Sequence, residues 1–385
     1  MKILWHSVPP MIPSGYGTQT KLILPAIQKL GHEVAVSATV GMPSIMTWGD
    51  ITIFPDSGHT GKFGMDMVKA HAERWKADLV ISWIDAHALS PVPIKDLNWA
   101  AWVPVDSSPL MADNIKPLLS TKWQLGPTNW SVKMLNDAGF KDAMLLPCMH
   151  DPNIFFPMMG VAEAKAAFGK RINRDVRNKF LVNVVSCNAG GRKNFQAVFQ
   201  AWKAFHPTCP DALLYLHTDM TGYFTGGSDL IQMAKAYGLG NDSVIFVSQY
   251  DYNTGQIGMD YLNLVYNASD VHLNCCYGEG FGLPIMEAQA CGCPTIVPDF
   301  AAATEVGQCS KVKKGTLYGT VPGAMQFMVD TDSVVRALEE EYGRFLMGRE
   351  DHRQRIHENT EPWQVENVAK NYLAPILKKI EGELK

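Results

Sequence analysis

The sequence predicts a mixed α/β chain built as two Rossmann-like, doubly wound domains, and three observations carry that prediction. Its 385 residues suffice for two domains of ordinary size, each able to bury its own core. Short apolar runs alternate with glycine-bearing turns and helical stretches along the chain, as parallel βαβ units do. The stretch Tyr277–Asp299, YGEGFGLPIMEAQACGCPTIVPD, shows one such unit most clearly. Val271–Cys276 is apolar enough for a buried strand, and Gly278, Gly280 and Gly282 allow a tight turn and close approach to a ligand. Pro284 suits the first helical position, Gly292 suits the residue just past the helix end, and Cys293–Pro298 is the next short strand. A glycine turn feeding a helix amino end presents N–H groups and positive dipole, which favour a phosphate or another anion.

Composition narrows the class. With 46% hydrophobic and 19% charged residues the chain has the make-up of a soluble globular protein, and its apolar runs are far too short for a membrane span. Met1–Trp5 enters a strand directly, without the long apolar segment of a signal peptide, so a cytoplasmic location is expected. The eight cysteines include Cys275-Cys276 and Cys291-x-Cys293, but neither pair has metal-ligand spacing and all four lie in apolar runs. They read as buried, reduced thiols. The net charge of −4 argues against whole-surface attraction to nucleic acid.

In chain order, Ile3–Trp5 is a strand, residues 8–19 form a long loop, Thr20–Leu30 a helix and Val34–Val36 a second strand. Gly15 and Gly17 in that loop are placed to cradle a phosphate or to make an ordinary turn. Asp78–Ser82 is a further strand, followed by Asp85 and His87, and Asn98–Val105 another, ending at Asp106. Trp123 to Ser131 passes from strand to helix with Ser131 as candidate N-cap. The Pro-rich stretch through Pro157 reads as a domain boundary. Domains are therefore expected at 1–156 and at 157–363. Residues 163–179 are basic, and read either as a solvated surface or as a contact for an anionic substrate. Phe180–Val185 opens the second domain; Arg192 and Lys193 follow where a glycine loop meets the helix Phe195–Phe205, well placed to neutralise a diphosphate. Ala212–His217 and Val244–Phe246 are strands, Arg336–Phe345 an amphipathic helix, and Trp363–Ile380 largely helical.

Glu279 and Glu287 frame the central turn. A carboxylate can grip the paired hydroxyls of a sugar, or merely complement a helix dipole. The spacing Glu279-Gly-Phe-Gly-Leu-Pro-Ile-Met-Glu287 resembles the E-x7-E signature of the GT-B glycosyltransferases grouped as family 4, and Ala-Gln-Ala-Cys-Gly-Cys-Pro after it fits as well. The resemblance extends over almost the whole chain and is strongest over 180–306. It implies two Rossmann-like domains facing a central cleft, with a terminal helix 364–385 rejoining the first, the nucleotide-sugar donor on the second and a hydroxyl acceptor on the first. It implies donor contacts at Gly15, Gly17, Arg192, Lys193, Gly280, Phe281, Gly282, Leu283 and Glu287, and a nucleotide base near Gln249 and Tyr250. Asp106 stands where many members carry a histidine near the transferred sugar, and it joins Arg192, Lys193 and Glu279 as the candidate catalytic set. No acidic pair of the D-x-D type lies near these loops, so catalysis without metal or other cofactor is expected, with a UDP-sugar as donor substrate. The family's chemistry implies retention of anomeric configuration. Epimerisation of a sugar nucleotide and binding without turnover are the rival classes, and the E-x7-E stretch with Arg192-Lys193 favours transfer. The opening Leu4–Ser7, the Gly15-Tyr16-Gly17 loop and Trp102–Asp106 resemble bacteriophage-borne members, some of which decorate hydroxymethylated bases in DNA; modified DNA in a host cytoplasm is thus a second acceptor class, behind a small-molecule or glycan hydroxyl.

Overall fold

The computed structural model describes residues 1–59, 61–158, 160–223, 225–319, 325–348 and 351–384. The chain divides into two compact units: Met1–Asp151 with Pro362–Lys385, and Pro152–Thr320 with Met325–Glu361. Each unit is an α/β layer structure in its own right.

In the first unit, strands β1 (Lys2–Ser7), β2 (Glu33–Ala38), β3 (Met46–Trp48), β4 (Ile51–Phe54), β5 (Leu79–Trp83), β6 (Trp99–Trp102), β7 (Trp123–Gly126) and β8 (Met144–Leu145) form one sheet. Its order is β3-β4-β2-β1-β5-β6-β7-β8. Every adjacent pair is parallel except β3 with β4. The order reverses between β1 and β5, and Ser7 Oγ donates to the Trp83 carbonyl at 2.7 Å across that switch point. β5 and β6 are buried throughout because helices cover both faces of a parallel sheet.

Three local expectations change. The first helix runs Gly15–Lys29 and so starts five residues before Thr20, because Ser14 caps it by accepting from Gly17 N at 3.0 Å. β6 stops at Trp102 instead of reaching Val105, since Pro104 has no N–H to give the ladder. Thr128, and not Ser131, caps the helix Asn129–Asp137, accepting from Ser131 N at 3.0 Å.

The second unit carries β9 (Phe180–Val185), β10 (Ala212–His217), β11 (Val244–Phe246), β12 (Val271–Leu273), β13 (Thr295–Pro298) and β14 (Ser310–Val312) in the all-parallel order β11-β10-β9-β12-β13-β14. The switch point falls between β9 and β12. Phe180, Phe199, Trp202, Phe205 and Leu214 anchor its core. A separate antiparallel hairpin, β15 (Lys314–Gly319) with β16 (Met325–Val329), follows β14. The helix after it begins at Thr331 and not near Arg336, because Asp330 accepts from Asp332 N and Ser333 N.

The basic stretch 163–179 is less free than a solvated surface would be. Lys165, on the helix Val161–Arg171, is buried and pairs with Asp270 at 2.7 Å. Arg174 donates to the carbonyls of Asn241 and Asp242, and Arg177 pairs with Asp175 at 2.7 Å. Among the described residues no helix is long and apolar enough to cross a membrane.

Gln19 ties the first helix to the segment after β8: its Nε2 donates to the Met149 carbonyl and its Oε1 accepts from Met149 N, both at 2.8 Å and all buried. Gln19→Leu keeps the volume but strands two buried backbone groups. Urea unfolding followed by tryptophan fluorescence should show a loss of about 2–6 kcal/mol, at about 1–3 kcal/mol for each group; a midpoint unchanged from wild type would show that water replaces the amide.

Candidate active site

The site is assembled by the two loops that leave β9 and β12, the neighbours at the switch point of the second sheet. After β9 the chain turns through Gly190 and Gly191, at φ of +58° and +71°, a conformation glycine adopts without strain. Asn194 then caps the helix Phe195–Phe205, accepting from Ala197 N at 3.2 Å while its Nδ2 donates to the Cys275 carbonyl at 3.0 Å. That one side chain thus fastens the first loop to the second. Tyr277 N adds a bond to the Arg192 carbonyl at 3.0 Å. After β12, Gly282 at φ +95° turns the chain into the helix Leu283–Ala290, whose amino end has no side-chain cap. Pro284 lies in the first turn, and Gly292 at φ +73° lies just past the end.

Arg192, Lys193 and Glu279 meet here. The Glu279 carboxylate is buried, with Lys193 Nζ at 2.6 Å from Oε1, Arg192 Nη1 at 3.3 Å from Oε2, and Asn274 Nδ2 donating to Oε1 at 3.2 Å. Arg192 also donates to the Gly278 carbonyl. Burial alone would raise the Glu279 carboxyl, but the Lys193 and Arg192 charges overcome it and hold the group well below the usual carboxylate range. The two cations remain partly solvent-facing, with 36% and 16% of their side chains exposed. One buried negative charge thus fixes two positive charges beside an uncapped helix amino end, which is an anion-binding arrangement.

Glu287, one turn into this helix, behaves oppositely. It too is buried, but it accepts from the Tyr266 hydroxyl, which donates at 3.0 Å. Burial pushes its carboxyl from an ordinary 4.5 up to about 7, with the tyrosine bond pulling the other way. Near neutral pH this carboxylate would gain most from a ligand that donates hydrogen bonds to it, as a vicinal diol does.

The other sequence candidates are distributed elsewhere. Gln249 begins the short helix Gln249–Asn253, but its side chain is spent within its own loop region, accepting from Met220 N at 3.0 Å and donating to the carbonyls of Thr218 and Val247. Tyr250 beside it is 72% exposed. Gly15, Gly17 and Asp106 belong to the first unit. Gly17 N is already taken by Ser14, and a Cβ at Gly17 would lie 2.2 Å from the Ile12 carbonyl oxygen, so this glycine has a packing reason of its own. Asp106 lies four residues beyond β6, just before the cis Ser108–Pro109 bond. Asn274, Asn194 and Tyr266, which hold the site together, were not anticipated; an Asn at a strand end five residues before Glu279 was the one signal available.

Residues 184–332 match the family described as "Glycosyl transferases group 1". This span holds the whole cluster of Arg192, Lys193, Glu279 and Glu287. A comparison with curated protein sequences returns no match. By structure the chain is similar to a sucrose-phosphate synthase from Thermosynechococcus elongatus, at 15% identity and a TM-score of 0.76 over 99% of each chain. It is similar to Anabaena HepE, whose structure holds UDP and glucose, at 14% identity and 0.72 over 98% of this chain and 100% of that one. It is also similar to an α,α-trehalose 6-phosphate synthase from Burkholderia multivorans, at 14% identity and 0.68 over 100% of this chain and 99% of that one. These likenesses establish the fold as GT-B, two Rossmann-like domains in one chain.

The raised Glu287 group makes a pH prediction with a definite sign. A folded-state value near 7 against 4.5 unfolded means that the folded chain binds this proton more tightly, so the contribution is full below pH 4.5 and is lost as pH rises through 7. Glu287→Gln should abolish that component. The stability difference, variant minus wild type, should climb by up to about 3 kcal/mol between pH 4.5 and 8. A difference that stays flat across that window would show that the carboxyl ionises normally in the folded protein.

Proposed function

We propose that the chain is a retaining glycosyltransferase that moves a sugar from a nucleoside-diphosphate donor, a UDP-sugar first, onto a hydroxyl acceptor. The observation that carries this reading is the buried Glu279 gripping Lys193 and Arg192 at the mouth of an uncapped helix within the matched span. In the reaction the bond from the anomeric carbon to the diphosphate oxygen breaks, the diphosphate leaves with the electron pair, and the acceptor oxygen bonds to the anomeric carbon. The acceptor proton passes to a departing phosphate oxygen on the same face. Charge therefore accumulates on the leaving diphosphate, where Arg192, Lys193 and the helix dipole, with the backbone of Gly280, Phe281, Gly282 and Leu283, act as preorganised stabilisers. Glu287 takes the ribose hydroxyls, and the loop at Gln249 and Tyr250 the base. A uridine base is supported by the similar Anabaena structure, which holds UDP. The retaining course rests on the family resemblance of Glu279 to Glu287.

Asp106 of the first unit is assigned to the acceptor side, in place of the histidine found in many family members. A small-molecule or glycan hydroxyl is favoured over modified DNA, because three of the six cations of 163–179 that suggested a polyanion, Lys165, Arg174 and Arg177, are held by Asp270, Asp175 and main-chain carbonyls. Eight free thiols, most of them buried, suit a reducing cytoplasm.

The test is incubation with a panel of labelled nucleotide sugars and hydroxyl acceptors, hydroxymethylpyrimidine DNA among them. Transfer to a free sugar or glycan is expected, whereas a new sugar nucleotide without any acceptor would identify an epimerase. Turnover should survive EDTA, because cationic side chains take the place of a metal at the diphosphate; loss in EDTA and recovery with magnesium or manganese would contradict that. Lys193→Ala should lower kcat at saturating donor by about a hundredfold, as removal of one preorganised donor does elsewhere. A rise in KM alone would reduce Lys193 to uniform binding.

A further inference from the structure

The hairpin β15–β16 has no part in the mechanism above, yet its contacts lead straight to Arg192. All six residues of β15 are exposed, with Leu317 at 51% and Tyr318 at 38%. A two-stranded hairpin is marginal on its own, so its place must be set by what it touches. At its base Lys313 N donates to Ser333 Oγ at 3.0 Å and Asp330 N to the Lys313 carbonyl at 2.9 Å. Further out it rests on the two loops that follow β12 and β13. The Phe327 ring stands edge-on to Phe300 at 5.0 Å, and Phe327 N donates to the Tyr277 carbonyl at 3.3 Å. The Tyr318 ring lies 4.9 Å from the Tyr277 ring, inclined at 43°. Tyr277 is therefore held on two sides. Its carbonyl and ring face the hairpin, and its N–H donates to the Arg192 carbonyl at 3.0 Å. The next residue, Gly278, accepts from the Arg192 guanidinium, and the one after that is Glu279.

We propose that the hairpin is a positioning element for the leaving-group site: Tyr318, packed on Tyr277, holds the strand of chain that sets Arg192 against Glu279. Tyr318 reaches the Arg192 main chain through Tyr277 alone and the guanidinium through Tyr277 and Gly278, so loosening the outer ring contact frees both the backbone and the side-chain attachment of Arg192. Tyr318 acts through Tyr277 and touches none of the charged groups. The structural part stands without any assigned activity, and its catalytic consequence rests on the transferase reading.

Hydrogen–deuterium exchange on the full ligand-free chain separates the two. In Tyr318→Ala the segment 275–280, which carries the Tyr277 N–H, should exchange at least tenfold faster than in wild type, with the thermal midpoint unchanged. Tyr318→Phe, which keeps the ring contact, and Leu317→Ala, an exposed neighbour, should match wild type. At saturating donor, Tyr318→Ala should lower kcat by about tenfold or more with little change in KM, since small misplacements of a positioning group are costly, and Tyr318→Phe should restore it. Unchanged exchange over 275–280 in Tyr318→Ala, or a Tyr318→Phe variant as perturbed as the alanine, would overturn the proposal. Faster exchange in a chain that transfers no sugar upholds the positioning role and contradicts the transferase reading instead.

Discussion

The second unit depends on one buried carboxylate. Glu279 is 5% exposed, and an isolated charge at that depth would neutralise itself by taking a proton. It stays ionised because Lys193, Arg192 and Asn274 converge on its two oxygens. The pair of cations is ordered in advance by the same contacts, so a bound anion need not immobilise two long side chains. Losing one member of such a buried cluster leaves uncompensated charge, a cost of about 3–5 kcal/mol. The loops after β9 and β12 are thereby obliged to stay together, and Asn194 and Tyr277 repeat the connection through the main chain. The candidate site and the fold share one set of interactions.

The two glutamates of the same turn show how surroundings decide role. Glu279 faces two cations and remains charged; Glu287 faces a tyrosine hydroxyl and sits near its own titration point. The first is suited to organising permanent positive charge. The second is suited to being completed by hydroxyl donors from outside. Spacing alone could not separate these roles, because both residues read as acidic positions flanking one glycine turn.

Much of the architecture was legible because local chemistry dictated it. Gly282, Pro284 and Gly292 have positions that few other residues tolerate, and the helix between them falls where those three put it. The alternation of apolar runs likewise revealed most strands of both sheets, though not β3, β4 or β14. What escaped were features set by distant partners. Lys165 looks like a surface cation until Asp270, far away in sequence, is folded beside it. Gln249 points inward because the carbonyls of Thr218 and Val247 come to it. The hairpin went unseen since β15, exposed at every position, has no buried face to give it an alternating pattern.

The central claim is that the Glu279-ordered cations grip a diphosphate, and equilibrium binding of UDP and of uridine tests it most directly. Calorimetry on wild type and Lys193→Ala, at one fixed salt concentration, should show UDP bound far more tightly than uridine by wild type. The variant should lose at least tenfold in affinity for UDP and none for uridine, since one charge-assisted hydrogen bond is worth about 1.5–3 kcal/mol. Equal affinities for UDP and uridine in wild type, or wild-type affinity for UDP in the variant, would contradict the account.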